Sequence, residues 1–513
     1  MHPLLVSTPA DLIGGERRPL PGEALQSRNP TRPAEIIWQG TPVPAHVDDA
    51  VAAARAAQPA WARMTEEKRA SALRRFRDLC KARAADMARL IADETGKALW
   101  DARAEADLLA AKVDITLDAS EHGGLRRVRP FEVSLSGSRV GRAWFRPHGV
   151  LAVVGPYNFP AHLANGHIIP ALVLGNAVVL KPSDKAPGVG QLYAEWLNEA
   201  LVAEGAPPGV VNLVQGGVDV ASRLVAHRDL DGILFTGSWP VGRRIMEANL
   251  DQPGRILALE MGGNNPSLVM PDADLRQAAI EIVRSAFVST GQRCTCTRRL
   301  VVHRAIADKL IRGIVEAATR LSVGDPLADP QPFMGPIISA AARDAVLRDQ
   351  ARFSASGAEV VLPSRALESS TGGHFLSPGV VRVERFTIGE EGPGADIEVF
   401  GPLLRVSVVD SLDEGIAQAN ATRYGLAASI FTRDEAAIER FLGEARAGCV
   451  NVNTGTAGAS SKLPFGGLGL SGNHRPAGAF SLDYCAYPVA GMIESGSAAP
   501  IPTGMAFEDD WLS

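Results

Sequence analysis

Between Gly149 and Glu260, short runs of consecutive apolar residues alternate with longer segments in which apolar positions recur every three or four residues. The runs Val150–Val154, Ala177–Leu180, Val210–Val214, Ile233–Phe235 and Ile256–Leu259 show no polar alternation, which predicts strands buried on both faces. The segments between them, near Asn165–Leu174, Val189–Glu204, Val218–Ala226 and Pro240–Asn249, predict helices. Strand and helix in regular turn give a parallel, doubly wound sheet of the nucleotide-binding α/β type.

The pattern changes on either side. Residues 1 to about 45 read as short strands and turns, and Val47 to Ala119 as amphipathic helices, with Leu73, Phe76, Leu79 and Cys80 at helical spacing. Residues 125–147 read as a charged hairpin turning at Ser136-Gly137-Ser138, either a contact for another subunit or a solvated excursion. A second α/β unit follows Gly262-Gly263-Asn264, with a helix Leu275–Phe287, a strand Leu300–Val302 and a helix Ala305–Leu321. Residues 325–391 read as loop-rich, with Pro and Gly clusters. Alternation then resumes through strands Leu403–Val409, Ala427–Phe431 and Val450–Asn453, separated by helices Leu412–Asn420 and Asp434–Ala445. A last strand is expected over Tyr484–Ile493.

Composition narrows the classes. A chain of 513 residues exceeds one core, so several domains are expected. The net charge of −5 and 5% aromatic content give no reason to expect nucleic acid or an anionic membrane as partner. The five cysteines (Cys80, Cys294, Cys296, Cys449, Cys485) are odd in number and scattered, unlike a secreted disulfide framework. The start, Met1 to Asp11, has neither a basic nor a sustained apolar leader region, and a cytoplasmic location is expected. No metal site is expected.

The candidate chemistry lies at the ends of the predicted strands. Cys294 sits in a turn after the helix ending at Phe287, beside Arg293, whose charge would favour the thiolate. Read alone, the same cysteine is a small buried hydrophobe. Thr236-Gly237-Ser238-Trp239-Pro240-Val241-Gly242 follows a strand and opens a helix. Ser238 suits the N-cap and Pro240 the first turn, so a pyrophosphate could sit on the free N–H groups. Lys181, Ser183 and Asp184 close another strand, where a lysine and a carboxylate could bracket a ribose and Asp184 would disfavour a 2′-phosphate. Glu260 ends the last strand as a candidate general base, and Asn158 follows the first as a candidate oxyanion donor. Each of these, taken singly, is also an ordinary polar turn.

In this order, Pro156-Tyr157-Asn158-Phe159-Pro160, Lys181-Pro182-Ser183, Thr236-Gly237-Ser238 with Gly242, Leu259-Glu260 with Gly262-Gly263-Asn264, Gly291-Gln292 with Cys294, Glu398-Val399-Phe400-Gly401-Pro402 and Pro464-Phe465-Gly466-Gly467 resemble the aldehyde dehydrogenase superfamily, over about residues 10–490. The resemblance implies a dinucleotide-binding domain (1–124 and 148–259), a catalytic domain (260–460), bridging elements that drive dimer or tetramer formation (125–147 and 461–495) and a tail (496–513). It implies NAD as cofactor and Cys294, Glu260 and Asn158 as nucleophile, base and oxyanion donor. Lys181, Ser183 and Asp184 would hold the adenosine ribose, Gly237, Ser238 and Gly242 the phosphates, and Glu398 and Phe400 the nicotinamide half. Asp184 departs from the glutamate usual there, and its shorter side chain weakens the ribose contact. Cys296 is given no catalytic role.

Within the superfamily, His162, Asn165-Gly166-His167, Arg293, the Ala459-Ser460-Ser461-Lys462 stretch and Gly472-Asn473-His474-Arg475-Pro476 are similar to the dehydrogenases of N-succinylglutamate 5-semialdehyde. The implied partner is a small acidic semialdehyde, bound near Arg293, His162, Ser460, Ser461 and Lys462 by cationic and amide donors. Glutamate 5-semialdehyde is the runner-up. Glu260 speaks against a CoA-acylating enzyme, and the set Cys294, Glu260, Asn158 against a non-catalytic NAD-binding protein.

Overall fold

The computed structural model describes residues 8–496 and 500–513. Residues 1–7, where the leader reading began, and 497–499 of the tail lie outside the described residues.

The first sheet has the order Ile256–Glu260, Gly232–Thr236, Val150–Val154, Ala177–Lys181, Val211–Leu213, Ala10–Ile13, Glu16–Pro19. Its first five strands are parallel, and the N-terminal hairpin adds the last two antiparallel. The three central strands are buried at every residue, as continuous apolar runs require when helices cover both faces. Helices His46–Arg63 and Trp239–Glu247 pack on one side. On the other lie Glu66–Ala82, Leu99–Leu117, His162–Val173 and Pro187–Ala203, around Trp61, Phe76 and Tyr193. Val150–Val154 pairs on one side with the strand that follows it and on the other with Gly232–Thr236. A crevice therefore opens beyond the carboxyl ends of these two strands, where open α/β sheets bind ligands.

The second sheet has the order Glu359–Leu362, Gly379–Arg382, Leu403–Val409, Thr297–His303, Asn265–Val269, Ala427–Phe431, Cys449–Val452, parallel except at its first strand. Two expectations need correction. Asn265–Val269 is a central strand that the pattern missed, because Pro266 opens it and Gly262-Gly263 precede it. Residues 325–391 are less loop-rich than expected: helix Ala340–Ala355 and two short strands lie within them. That helix buries only Val346 and Phe353, so its apolar stripe is too sparse to register as a period.

A third sheet pairs Phe131–Ser136, Arg139–Pro147 and Ala486–Glu494 antiparallel, joining the hairpin to the C-terminal strand. Phe131, Val133, Leu135 and Met492 are all largely exposed on it, and the strand Phe131–Ser136 leaves one edge unpaired. Among the described residues no helix is long and apolar enough to cross a membrane.

Candidate active site

The strand Ile256–Glu260 leads through Met261-Gly262-Gly263-Asn264 directly into Asn265–Val269, so the carboxyl edge of the first sheet abuts the amino edge of the second. Cys294 lies three residues before the strand Thr297–His303, in a loop held on all sides. Asn265 donates from Nδ2 to the carbonyls of Cys294 (2.7 Å) and Cys296 (2.8 Å). The buried Arg298 guanidinium donates to the carbonyls of Gly291 (2.8 Å) and Arg293 (2.9 Å). Ser289, Thr290 and Gly291 all have left-handed backbone (φ 53°, 56° and 70°). Two non-glycine residues in that region store strain that the surrounding bonds must overcome, a pattern found at functional turns. At Gly291 a Cβ would stand 2.1 Å from the Gly401 carbonyl oxygen, so no other residue fits.

Cys294 is half-buried on a wall common to two cavities, and Glu260, Thr236, Leu163 and Phe465 share that wall. The first cavity, about 810 Å³, is lined by Asn158, Lys181, Ser183, Asp184, Gly237, Ser238, Glu398 and Phe400. The second, about 440 Å³, is lined by His162, Arg293, Ser460, Ser461 and Lys462, together with Lys112 and His167. With one exception, Gly242, the residues expected at a site from the sequence line one cavity or the other.

The first cavity suits a dinucleotide. Lys181 is buried, among the described residues no carboxylate lies in ion-pair contact with it, and burial lowers its affinity for a proton, so an ammonium donor is aimed where a hydroxyl would satisfy it. Ser238 occupies the N-cap of helix Trp239–Glu247, but its side chain accepts no helix N–H, contrary to expectation. The helix end is thereby left open towards the cavity, as anion binding at a helix N-terminus requires. Gly242 does not face the cavity. A Cβ there would meet the Met261 sulfur at 2.3 Å, so this glycine lets the helix approach the strand end. Glu398 accepts from the Gly263 N–H (3.0 Å), and a Cβ on Gly262 would stand 1.8 Å from its carboxylate. Arg405 donates to the Ile397 carbonyl (2.9 Å), which fixes the loop carrying Glu398. Phe400 packs edge-on against Tyr157, and the Arg298 guanidinium lies 5.2 Å from its ring centroid.

Glu260 is 4% exposed, its Oε2 has no hydrogen-bond partner among the described residues, and burial raises its pKa well above the usual carboxylate range. Asn158 spends one N–H on the Gln292 carbonyl (2.9 Å) and keeps a second for another acceptor. Gln292 is itself tied to the Ile338 N–H through Oε1 (3.1 Å), which fixes the carbonyl that Asn158 reads. The Cys294 N–H makes no backbone bond among the described residues. Burial, helped by the Glu398 and Glu260 charges, pushes the Cys294 thiol up to about 12.

That last value corrects the expectation that Arg293 favours the thiolate. Arg293 is committed elsewhere: it pairs with buried Asp101 (2.6 Å), donates to Ser289 Oγ (2.8 Å) and lies 5.0 Å from the Phe159 ring centroid. The cation nearer in effect to the thiol is Arg298, and it is outweighed. Cys296 is fully buried, with its Sγ 3.9 Å from the Val288 carbonyl oxygen.

Two residues of the second cavity escaped the site expected from sequence. His167 is buried and bridges Tyr484 OH (2.8 Å) and Thr236 Oγ1 (3.1 Å), and burial holds it neutral, at about 3. Its sequence signal was its place in the Asn165-Gly166-His167 stretch that carries the resemblance, which gave it no role. Lys112 donates from Nζ to the Gly478 carbonyl (2.6 Å) and Ser481 Oγ (3.2 Å). Its signal was a lysine between Leu108 and Ile115 on an otherwise apolar helix face. Among the described residues no group of three His, Cys, Asp or Glu side chains is arranged to hold a metal.

The aldehyde dehydrogenase family profile matches residues 20–488. The N-succinylglutamate 5-semialdehyde dehydrogenase of Sphingopyxis alaskensis is 46% identical over 472 residues, 92% of this chain and 94% of that protein. N-succinylglutamate 5-semialdehyde dehydrogenase 2 of Caulobacter vibrioides is 47% identical over 484 residues, 93% of this chain and 95% of that protein. Among solved structures, 1-pyrroline-5-carboxylate dehydrogenase from Thermus with bound NAD superposes with a TM-score of 0.86 at 29% identity, covering 94% of this chain and 92% of that one.

Proposed function

The chain belongs to the aldehyde dehydrogenase family, and on that premise we propose that it oxidises N-succinylglutamate 5-semialdehyde to N-succinylglutamate with NAD, through a thioester on Cys294. The observation that carries this reading is the shared wall. One thiol and one carboxyl of raised proton affinity face both a dinucleotide-sized cavity and a second cavity bearing cations. Relatives with that activity in their names, 46–47% identical across more than nine-tenths of the chain, support the substrate.

The residues divide the work as follows. Lys181, Ser183 and Asp184 hold the adenosine ribose, Gly237 and Ser238 offer the open helix end to the phosphates, and Glu398 and Phe400 border the nicotinamide half. The asparate carboxylate at position 184 favours NAD over NADP because it would repel a 2′-phosphate. A nicotinamide held between Glu398 and Phe400 would supply the hydride acceptor needed for the Cys294 thiohemiacetal to become the thioester. Cys294 Sγ adds to the aldehyde carbon and its proton passes to solvent, which leaves the thiohemiacetal oxyanion. The free N–H of Asn158, with the N–H of Cys294, receives the oxyanion. Glu260 then takes a proton from the water that hydrolyses the thioester.

The substrate is tested by comparing kcat/KM for N-succinylglutamate 5-semialdehyde and glutamate 5-semialdehyde. We expect the succinylated aldehyde to be favoured by at least about tenfold, the discrimination of one lost polar contact. Equal values, or the reverse order, sink the assignment.

The same reading makes residues 1–124 and 148–259 the cofactor domain, 260–460 the catalytic domain, and the third sheet with residues 461–495 a bridge between subunits. The exposed apolar row Phe131, Val133 and Leu135, with Met492, supports a homodimer or homotetramer, since such a row on an open edge strand is a liability in a monomer. Phe131→Glu combined with Val133→Glu should lower the mass measured by light scattering towards one chain. An unchanged mass rules this surface out. Five cysteines without disulfides, three of them buried, suit a reducing cytoplasm.

A further inference from the structure

We propose that Lys112 binds a carboxylate of the substrate in the second cavity and so sets the preference for acidic aldehydes. The proposal deepens the functional reading above and rests on it for the identity of that cavity.

Three cationic side chains line the second cavity, Lys112, Arg293 and Lys462. Arg293 is already neutralised by its contact with Asp101, itself 1% exposed. Lys462 is exposed, where solvent and salt weaken its hold on an anion. Lys112 differs from both. It is 2% exposed, and among the described residues no carboxylate lies in ion-pair contact with it. Its ammonium has three N–H donors and spends two of them, on one carbonyl and one hydroxyl, both neutral. A buried cation held only by neutral acceptors is costly unless an anion completes its shell. Burial accordingly lowers its proton affinity, to about 8, which an adjacent carboxylate would reverse.

The surroundings fit a ligand. Leu108, Lys112 and Ile115 lie at i, i+4 and i+7 on helix Leu99–Leu117, so the lysine interrupts an apolar stripe that faces the cavity. His162 lines the same cavity with a buried Nδ1 that has no partner among the described residues. The Lys112 charge, after burial itself, helps keep that ring neutral, so it offers one N–H or one lone pair beside the ammonium. The acceptor of Lys112, the Gly478 carbonyl, belongs to the segment Ala477–Gly478 that forms another part of the cavity wall.

The test is Lys112→Met in the full-length enzyme, read as the ratio of kcat/KM for an acidic semialdehyde to that for an uncharged straight-chain alkanal. The ratio should fall about 10- to 100-fold, carried mainly by KM for the acidic substrate, as expected for one lost charge-assisted bond. Lys112→Arg should retain more of the ratio than Lys112→Met. A purely structural lysine would lower both substrates in proportion, and an unchanged ratio overturns the proposal. Should Lys112→Met not fold, the wild-type enzyme crystallised with N-succinylglutamate decides: a product carboxylate oxygen in hydrogen-bond range of Lys112 Nζ supports the assignment, and bound product with no contact to Lys112 overturns it. If glutamate 5-semialdehyde proves the better substrate, the functional reading fails while the Lys112 ratio is still measured with that acid, so the two failures stay distinct.

Discussion

Cys294→Ala should abolish NADH formation from every aldehyde, by at least about 10⁴-fold, while NAD binding measured by calorimetry stays within about twofold. The loss is large because no other thiol can substitute. Cys296 is fully buried behind Val288, and Cys449 lines neither cavity. Binding should survive because the loop is positioned by its backbone, through Asn265 and Arg298, not by the sulfur. A variant that still turns over at even a hundredth of the wild-type rate would remove Cys294 from the mechanism.

Glu260→Gln should separate the two halves of the reaction. Its first turnover should give a burst of NADH, followed by a steady rate lowered about 10²- to 10⁴-fold as the thioester accumulates. Mass spectrometry of the quenched protein should find the acyl adduct on Cys294. A single slow phase with no adduct would show that Glu260 acts before the thioester forms, as the base for the thiol. In the wild type the steady rate should rise with pH through the raised pKa of Glu260, and that limb should vanish in the variant. Stability should move the other way. A carboxyl whose pKa is raised on folding contributes stability below its unfolded value, and that contribution is lost as pH rises through the folded value. The neutral glutamine carries no such loss, so its melting temperature should match the wild type in acid and exceed it in alkali.

Much of this site was legible in the sequence because its chemistry sits at strand ends, where turn residues and glycines mark the chain. Cys294, Glu260, Asn158 and Lys181 lie at or within a few residues of such ends, and the structure gathers them with Glu398, from a loop, around two adjoining cavities. What sequence could not supply was long-range pairing. Arg293 looked like an activator of its neighbour, yet its charge is answered by Asp101, 192 residues away. Lys112 looked like one polar residue on a buried helix, and only the return of the chain at Gly478, 366 residues later, shows what its ammonium faces. Strand Asn265–Val269 and helix Ala340–Ala355 were missed for a local reason: an opening proline in one and a thin apolar stripe in the other.

The wall shared by the two cavities has a kinetic meaning. Each cavity reaches solvent at its own exposed residues, Asp184 and Lys185 for one, Ser460 and Lys462 for the other. On the proposed reading, cofactor and aldehyde approach the sulfur by separate doors, and neither has to wait behind the other. Geometry imposes no compulsory order of arrival, and reduced cofactor has a way out while the acyl group is still attached. Any obligatory sequence of binding and release would have to come from the chemistry at Cys294, not from traffic through the channels.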